Sequence, residues 1–215
     1  MKKNNLLFGA LFIAAIFFVF GFVYENDASD ILEIGKKAPK AQLEMQDVSG
    51  DLHSLESLNK ENGLLVIFSC NDCPFVVGRG DKEGWEGRYA GLSKMTDKNN
   101  IGMVLVNSNE AKRPGIDSIE EMKQRASDQN YSCAYVLDKD SQLADAFGAK
   151  TTPHVFLFDA NLELIYKGAI DDNVNSAKDV KETYLQDAIE ALLKGEKIDP
   201  NSTKNIGCSI KRVKA

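Results

Sequence analysis

Histidine is scarce in this chain, with only two in 215 residues, and the two, His53 and His154, stand far from each other and from any motif. That removes the zinc patterns that pair imidazoles a few residues apart with a cysteine pair. Cysteine is also sparse. Of the four, Cys70, Cys73, Cys133 and Cys208, only the first two form a C-x-x-C pair, so the two-pair pattern of a structural zinc site is missing as well. We read no metal and no cofactor. Positive charge is in deficit, 26 Lys and Arg against 32 Asp and Glu, for a formal net charge of −6. A chain without an overall basic surface is a poor general binder of nucleic acid. Internal repeats and low-complexity segments are absent too, which excludes solenoids and fibrous architectures.

Long uncharged runs are limited to one, Leu6 to Val23, preceded by Lys2 and Lys3 and followed by Glu25, Asp27 and Asp30. Eighteen apolar residues are at the short end for a membrane span and beyond a usual signal-peptide core, so an anchor and a cleaved signal both remain open. Lysines before the run and acids after it predict an N-terminus held inside and a domain exported. The flank "GFVYENDASD" has no clear small-x-small cleavage site, which favours a retained anchor in a bacterial inner membrane with the domain on the periplasmic side. Secretion after cleavage is the alternative. We divide the chain into residues 1–28 (anchor or signal), 29–37 (polar tether), 38–200 (one domain) and 201–215 (a lysine-bearing, solvated tail).

Within the domain, "AQLEMQDVSGDLHSL" alternates with period two around Ser49-Gly50 and predicts a hairpin. "GLLVIFS", Gly63 to Ser69, is a short, continuous apolar run that suits a strand buried on both faces. A helix follows over Trp85 to Met95, with Trp85, Tyr89, Leu92 and Met95 on its inner face. Gly102 to Ser108 reads as a second buried strand. Asp117 to Asn130 reads as a helix opened by an Asp117-x-x-Glu120 capping pattern, with Met122 inward. Next come a strand at Ala134 to Asp138, a short helix at Ser141 to Phe147, strands at His154 to Asp159 and Leu162 to Gly168, and a helix from Ala177 to Lys194 stopped by Gly195. Strands alternating with helices, closed by a β-β-α unit, give an α/β fold with a mixed central sheet flanked by helices.

The chemistry centres on "LVIFSCNDCPF", where the buried strand runs into Cys70 and Cys73. A disulfide closing so short a loop removes little entropy from the unfolded chain, so a purely structural staple gains little. Redox exchange makes better use of the placement. With a strand ending at Cys70 and a helix starting near Cys73, the helix N-terminus should hold Cys70 as a thiolate, with Cys73 one turn on to resolve the mixed disulfide. The charge of Asp72 between them should oppose ionisation and favour a reducing couple. In "TTPHVFLFD", Pro153 precedes a buried strand to which it cannot donate; beside a cysteine pair, a cis Thr152–Pro153 bond is the expectation, with an ordinary strand-opening proline the alternative.

These segments together resemble the thioredoxin-fold redoxins, in the branch related to alkyl hydroperoxide reductase and thiol-specific antioxidant proteins. The resemblance rests on "QDVSGDLHSL", "FSCNDCPF", "LDKDSQLADAFGAKTTPHVFLFD", "YKGAIDDN" and the closing "IGCSIK", from about Ile34 to Val213. It implies a thioredoxin fold with an N-terminal hairpin and an inserted helix–strand unit, here residues 117 to 138. It also implies a redox-active Cys70–Cys73 disulfide with Cys70 as nucleophile and Cys73 resolving, a substrate groove at Thr152 and cis Pro153, and as partners protein thiols or disulfides and a thiol electron donor. The chain departs from the peroxidatic pattern P-x-x-x-T-x-x-C: Ile67 stands three before Cys70, Cys70 three before Cys73, and no proline has the required spacing. The donor set that polarises a peroxide bond is therefore lacking. A thiol peroxidase, and a binding module keeping only a static disulfide, are the alternative functions. Cys208 is a candidate accessory thiol, able to reach the site, pair with Cys133 or stay free. Cys133 reads as a buried small apolar residue, His154 as flanking the groove or lying on the sheet, and Asp171-Asp172-Asn173 as a polar turn.

Overall fold

The computed structural model describes residues 30–213, so the anchor or signal predicted for residues 1–28 lies outside it. Among the described residues, no helix is long and apolar enough to cross a membrane. The predicted hairpin is present as β1 (Met45–Asp47) and β2 (Leu52–His53), turning at Gly50 with φ +101°. A single helical turn, α1 (Leu55–Leu58), follows; it was not expected, and it is fixed by a reciprocal Ser54–Ser57 capping box. The apolar run becomes β3 (Leu64–Ser69), every residue of it buried. After it come α2 (Pro74–Val77), α3 (Glu86–Lys98) and β4 (Gly102–Asn107), the last again buried throughout.

The insert is α4 (Ile119–Asp128) and β5 (Ala134–Leu137), and α5 (Gln142–Phe147) follows. Then come β6 (Thr151–Thr152), β7 (His154–Phe158), β8 (Leu164–Gly168), α6 (Tyr184–Lys194) and β9 (Cys208–Ser209). The last helix is shorter than predicted: residues 177–179 form a separate 3-10 turn before it. Seven strands make one mixed sheet in the order β2-β1-β5-β4-β3-β7-β8, while β6 and β9 pair separately. β3 lies inside the sheet, parallel to β4 and antiparallel to β7. The hairpin joins through β1 antiparallel to β5, so the insert carries it at the sheet edge.

Alternate residues of β3 feed two cores. Leu65 and Ile67 pack with Trp85 at the cap of α3, Tyr89 of α3, and Leu185 and Ile189 of α6. Leu64, Val66 and Phe68 face Leu55, Leu143 and Phe147. Phe68, Phe147 and Phe156 meet edge to face at centroid separations of 5.1–5.7 Å, each buried ring worth about 1.5–3 kcal/mol. Both faces of the centre are therefore sealed, and the ends of β3, β4 and β7 are left to make a site.

Candidate active site

Register brings the parts together. Phe68 stands opposite His154 across the antiparallel β3–β7 pair, and Ser69 beside Asn107 across the parallel β3–β4 pair. One step beyond the sheet, Cys70 accordingly meets Thr152 from one side and the loop after Asn107 from the other. The Thr152–Pro153 bond is cis, as expected; a second cis bond, Asp199–Pro200, was not. Cys70 Sγ and Thr152 Oγ1 share a hydrogen bond of 3.1 Å, and Cys73 Sγ lies 3.1 Å from the Thr152 carbonyl oxygen, to which it donates only while it carries its proton. Both cysteines are free thiols, and each bears on the ionisation of the other.

The helix starts one turn later than a cap on Cys70 requires. The helix begins at Pro74, and its N-cap is Cys73. A proline is welcome at the first helical position because its missing N–H would be unpaired there anyway. Direct donors matter more than the dipole of so short a helix. The Cys73 sulfur accepts from the Cys70 thiol, from the Cys208 thiol and backbone N–H, and from the Phe75 N–H; these outweigh its burial and bring it from 9.0 down to about 5. Cys70 moves the opposite way, raised well above the ordinary thiol range by giving its hydrogen bond to Cys73 and by burial. Of the two sulfurs, Cys73 is the one its surroundings lower and Cys70 the one they raise. The Asp72 backbone N–H favours ionisation of Cys70, while its charge opposes that of Cys208.

Sequence reasoning missed the residue that holds this loop. Asp117, read as a helix cap, is fully buried instead. Its carboxylate accepts from the Asn71 N–H at 2.9 Å, Asn107 Nδ2 at 2.8 Å and Asn109 Nδ2 at 3.0 Å. Ser118 takes over as the N-cap of α4, accepting from the Glu121 N–H. The Asn71 side chain is fixed as well, accepting from the Tyr135 hydroxyl and donating to the Ile116 carbonyl. The middle of the C-x-x-C loop is thereby bolted to the insert. No local sequence signal exposes this role, because Asn71, Asn107 and Asn109 come beside Asp117 only through the fold.

The final residues are not a free tail. Cys208 pairs antiparallel with Thr152 through β6 and β9, Ile210 is buried, and Arg212 bonds Asp145 at 2.6 Å. Cys70, Cys73, Cys208 and Thr152, with Lys112 and Lys211 at the rim, line a cavity of about 250 Å³. A larger cavity of about 490 Å³ is lined by residues including Arg88, Leu92 and Gln186, and by no cysteine. Cys133 lies apart, half-buried, its thiol pushed up to about 12 by burial. His154 is a sheet residue packed 4.4 Å from Phe156 and lowered to about 3 by burial, so it is neutral. Asp171 does more than turn the chain: it accepts from Trp85 Nε1 at 2.6 Å and Arg88 Nε at 3.1 Å, tying α3 to the loop after β8. Among the described residues, no cluster of His, Cys, Asp or Glu is arranged to hold a metal.

A family model described as redoxin matches residues 33–184. Comparison with curated proteins gives no match. Among solved structures, an uncharacterized conserved protein of Geobacillus kaustophilus is similar at 29% identity and TM-score 0.77, over 86% of this chain and 95% of its own. A hypothetical protein, SMc02350, of Sinorhizobium meliloti is similar at 29% and 0.76, over 86% and 98%. A structure described as a thiol:disulfide interchange protein DsbE from Chlorobium tepidum shares the fold at 17% and 0.54, over 75% and 99%. The architecture is the thioredoxin fold.

Proposed function

The chain belongs to the redoxin family, and from that premise we propose that this oxidoreductase exchanges thiols and disulfides of protein substrates outside the cytoplasm, with Cys73 attacking and Cys70 resolving. One observation carries the reading: the Cys70 and Cys73 sulfurs meet at Thr152, the residue before cis Pro153. The Cys73 thiolate attacks one sulfur of a substrate disulfide; a Cys73–substrate bond forms, the substrate bond breaks and the other substrate sulfur leaves as a thiolate. Cys70 then gives up its proton and attacks Cys73 Sγ, forming Cys70–Cys73 and releasing the second substrate thiolate. Two electrons pass to the substrate, and a dithiol donor returns the pair to thiols. The reverse sequence oxidises. Export and membrane tethering rest on Lys2, Lys3 and the Leu6–Val23 run alone.

Insulin reduction driven by dithiothreitol tests the function and should be lost in Cys73→Ser. A Cys70→Ser variant should accumulate mixed disulfides on Cys73 in cells. Traps that fill on Cys73→Ser through Cys70 instead would reverse the assignment, and an inert wild-type chain would refute exchange itself.

A further inference from the structure

The attacking sulfur is covered by its own chain. Cys73 is only 3% exposed, and the segment that reaches it is β9, whose Cys208 stands in register with Thr152. An extended strand lies on the backbone beside the cis proline and offers a cysteine to Cys73, as a substrate strand would. The fit is close: a Cβ on Gly207 would collide with the Thr152 carbonyl, and one on Gly168 with Thr203. Thr203 anchors the segment by bonding the Tyr166 hydroxyl at 2.8 Å and the Ala169 N–H at 3.0 Å, and Asn109 Oδ1 receives the Lys211 N–H at 2.9 Å. The segment is thus held on both sides of Cys208.

We propose that Cys208 is a second resolving thiol and that residues 202–213 act as a built-in substrate strand, closing a Cys73–Cys208 disulfide across the groove. The proposal rests on Cys73 being the attacking sulfur. After Cys73 has taken one half of a small disulfide, Cys208 loses its proton and attacks Cys73 Sγ; the Cys73–Cys208 bond forms, and the remaining half leaves as a thiolate that takes up the proton. The oxidant is the small disulfide itself, reduced by two electrons to two thiols. Cys208 stands at about 11 while reduced, through burial and then the adjacent Cys73. Once Cys73 is in a disulfide, its negative charge no longer opposes ionisation of Cys208. The closed form occupies the strand position at Thr152, so a protein substrate competes with the segment.

The test uses the full chain carrying Cys70→Ser and Cys133→Ser, which leaves Cys73 and Cys208 as its only thiols. The reduced protein is exposed to glutathione disulfide, quenched with N-ethylmaleimide and weighed intact. The expected product has neither a maleimide nor a glutathione attached. A lasting glutathione adduct on Cys73 with Cys208 alkylated, or a disulfide-linked dimer, would overturn the proposal and leave exchange at Cys73 standing. Two alkylated thiols and no adduct would defeat both. Adding Gly207→Ala should slow glutathione release at least about tenfold by displacing the strand. Should the serine variants fail to fold, peptide mapping of the oxidised wild-type chain decides: a Cys73–Cys208 cross-link is expected, and its absence overturns the proposal.

Discussion

Replacing Cys70 by alanine should move the ionisation of Cys73 upward. The Cys70 thiol is the leading donor to the Cys73 sulfur, which it helps to hold at about 5. A hydrogen bond to a charged group is worth about 1.5–3 kcal/mol, or about 1–2 pH units, so the variant should titrate near pH 6–7. The assay is the pH profile of iodoacetamide alkylation, with the modified peptide identified by mass. Rate at pH 7 alone is a poor readout. Relative to a thiol at 9, a value of about 5 raises the thiolate fraction about 100-fold at pH 7, but the same four units lower intrinsic nucleophilicity about 40- to 100-fold. The two effects nearly cancel. At pH 6 the fraction gain is about 900-fold, and a net advantage of about 10- to 20-fold survives. The profile should level off above about pH 6 in the wild type and about one to two units higher in Cys70→Ala. A wild-type midpoint near 9, an unmoved midpoint in the variant, or first labelling at Cys70 would each refute the reasoning.

Three further outcomes are expected. Asp117→Leu should lower stability in urea by about 3 kcal/mol, because three buried donors lose their acceptor, and insulin reduction should fall as the Asn71 loop loosens; unchanged activity in the folded variant would separate the network from the site. Asp171→Ala should cost about 2–4 kcal/mol by orphaning Trp85 Nε1 and Arg88 Nε, measurable as a lower urea midpoint at constant slope. Cys133→Ser should leave both insulin reduction and the disulfide map as in the wild type, since that thiol lines a different cavity; a lost cross-link would place Cys133 in the exchange path.

The central strands were legible because their residues are apolar without interruption, which only a doubly covered sheet explains. The cysteine pair and the proline at 153 were legible as a motif. The cap of the helix after the pair falls on Cys73, one turn beyond Cys70. Its signal lay in the sequence: Cys73-Pro74 marks Cys73 as the cap residue, since proline prefers the first helical position. Asp117 escaped because its local pattern fits a cap equally well, and only the register of β3 against β4 shows that Asn71, Asn107 and Asn109 need its carboxylate more. Cys208 reads as able to reach the site, and it does; the strand pairing of its segment escaped for a similar reason. A two-residue strand with lysines around it has no periodicity of its own, and its pairing with Thr152 is a contact between residues far apart in sequence.

That pairing links access to reactivity. Of the four donors to the Cys73 sulfur, two come from Cys208, its thiol and its backbone N–H. Both lower the Cys73 pKa, so withdrawing β9 before another strand takes its place raises it. An attacking thiol works best with its pKa near the ambient pH, where it is still substantially ionised and more nucleophilic than a strongly stabilised thiolate. The covered sulfur is thus both shielded and blunted, and opening the groove reverses both. The same movement withdraws Cys208, so a protein bound along Thr152 leaves resolution to Cys70. In the scheme proposed above, a small disulfide that enters the cavity with the segment in place meets Cys208 instead, so substrate size would select which sulfur releases it.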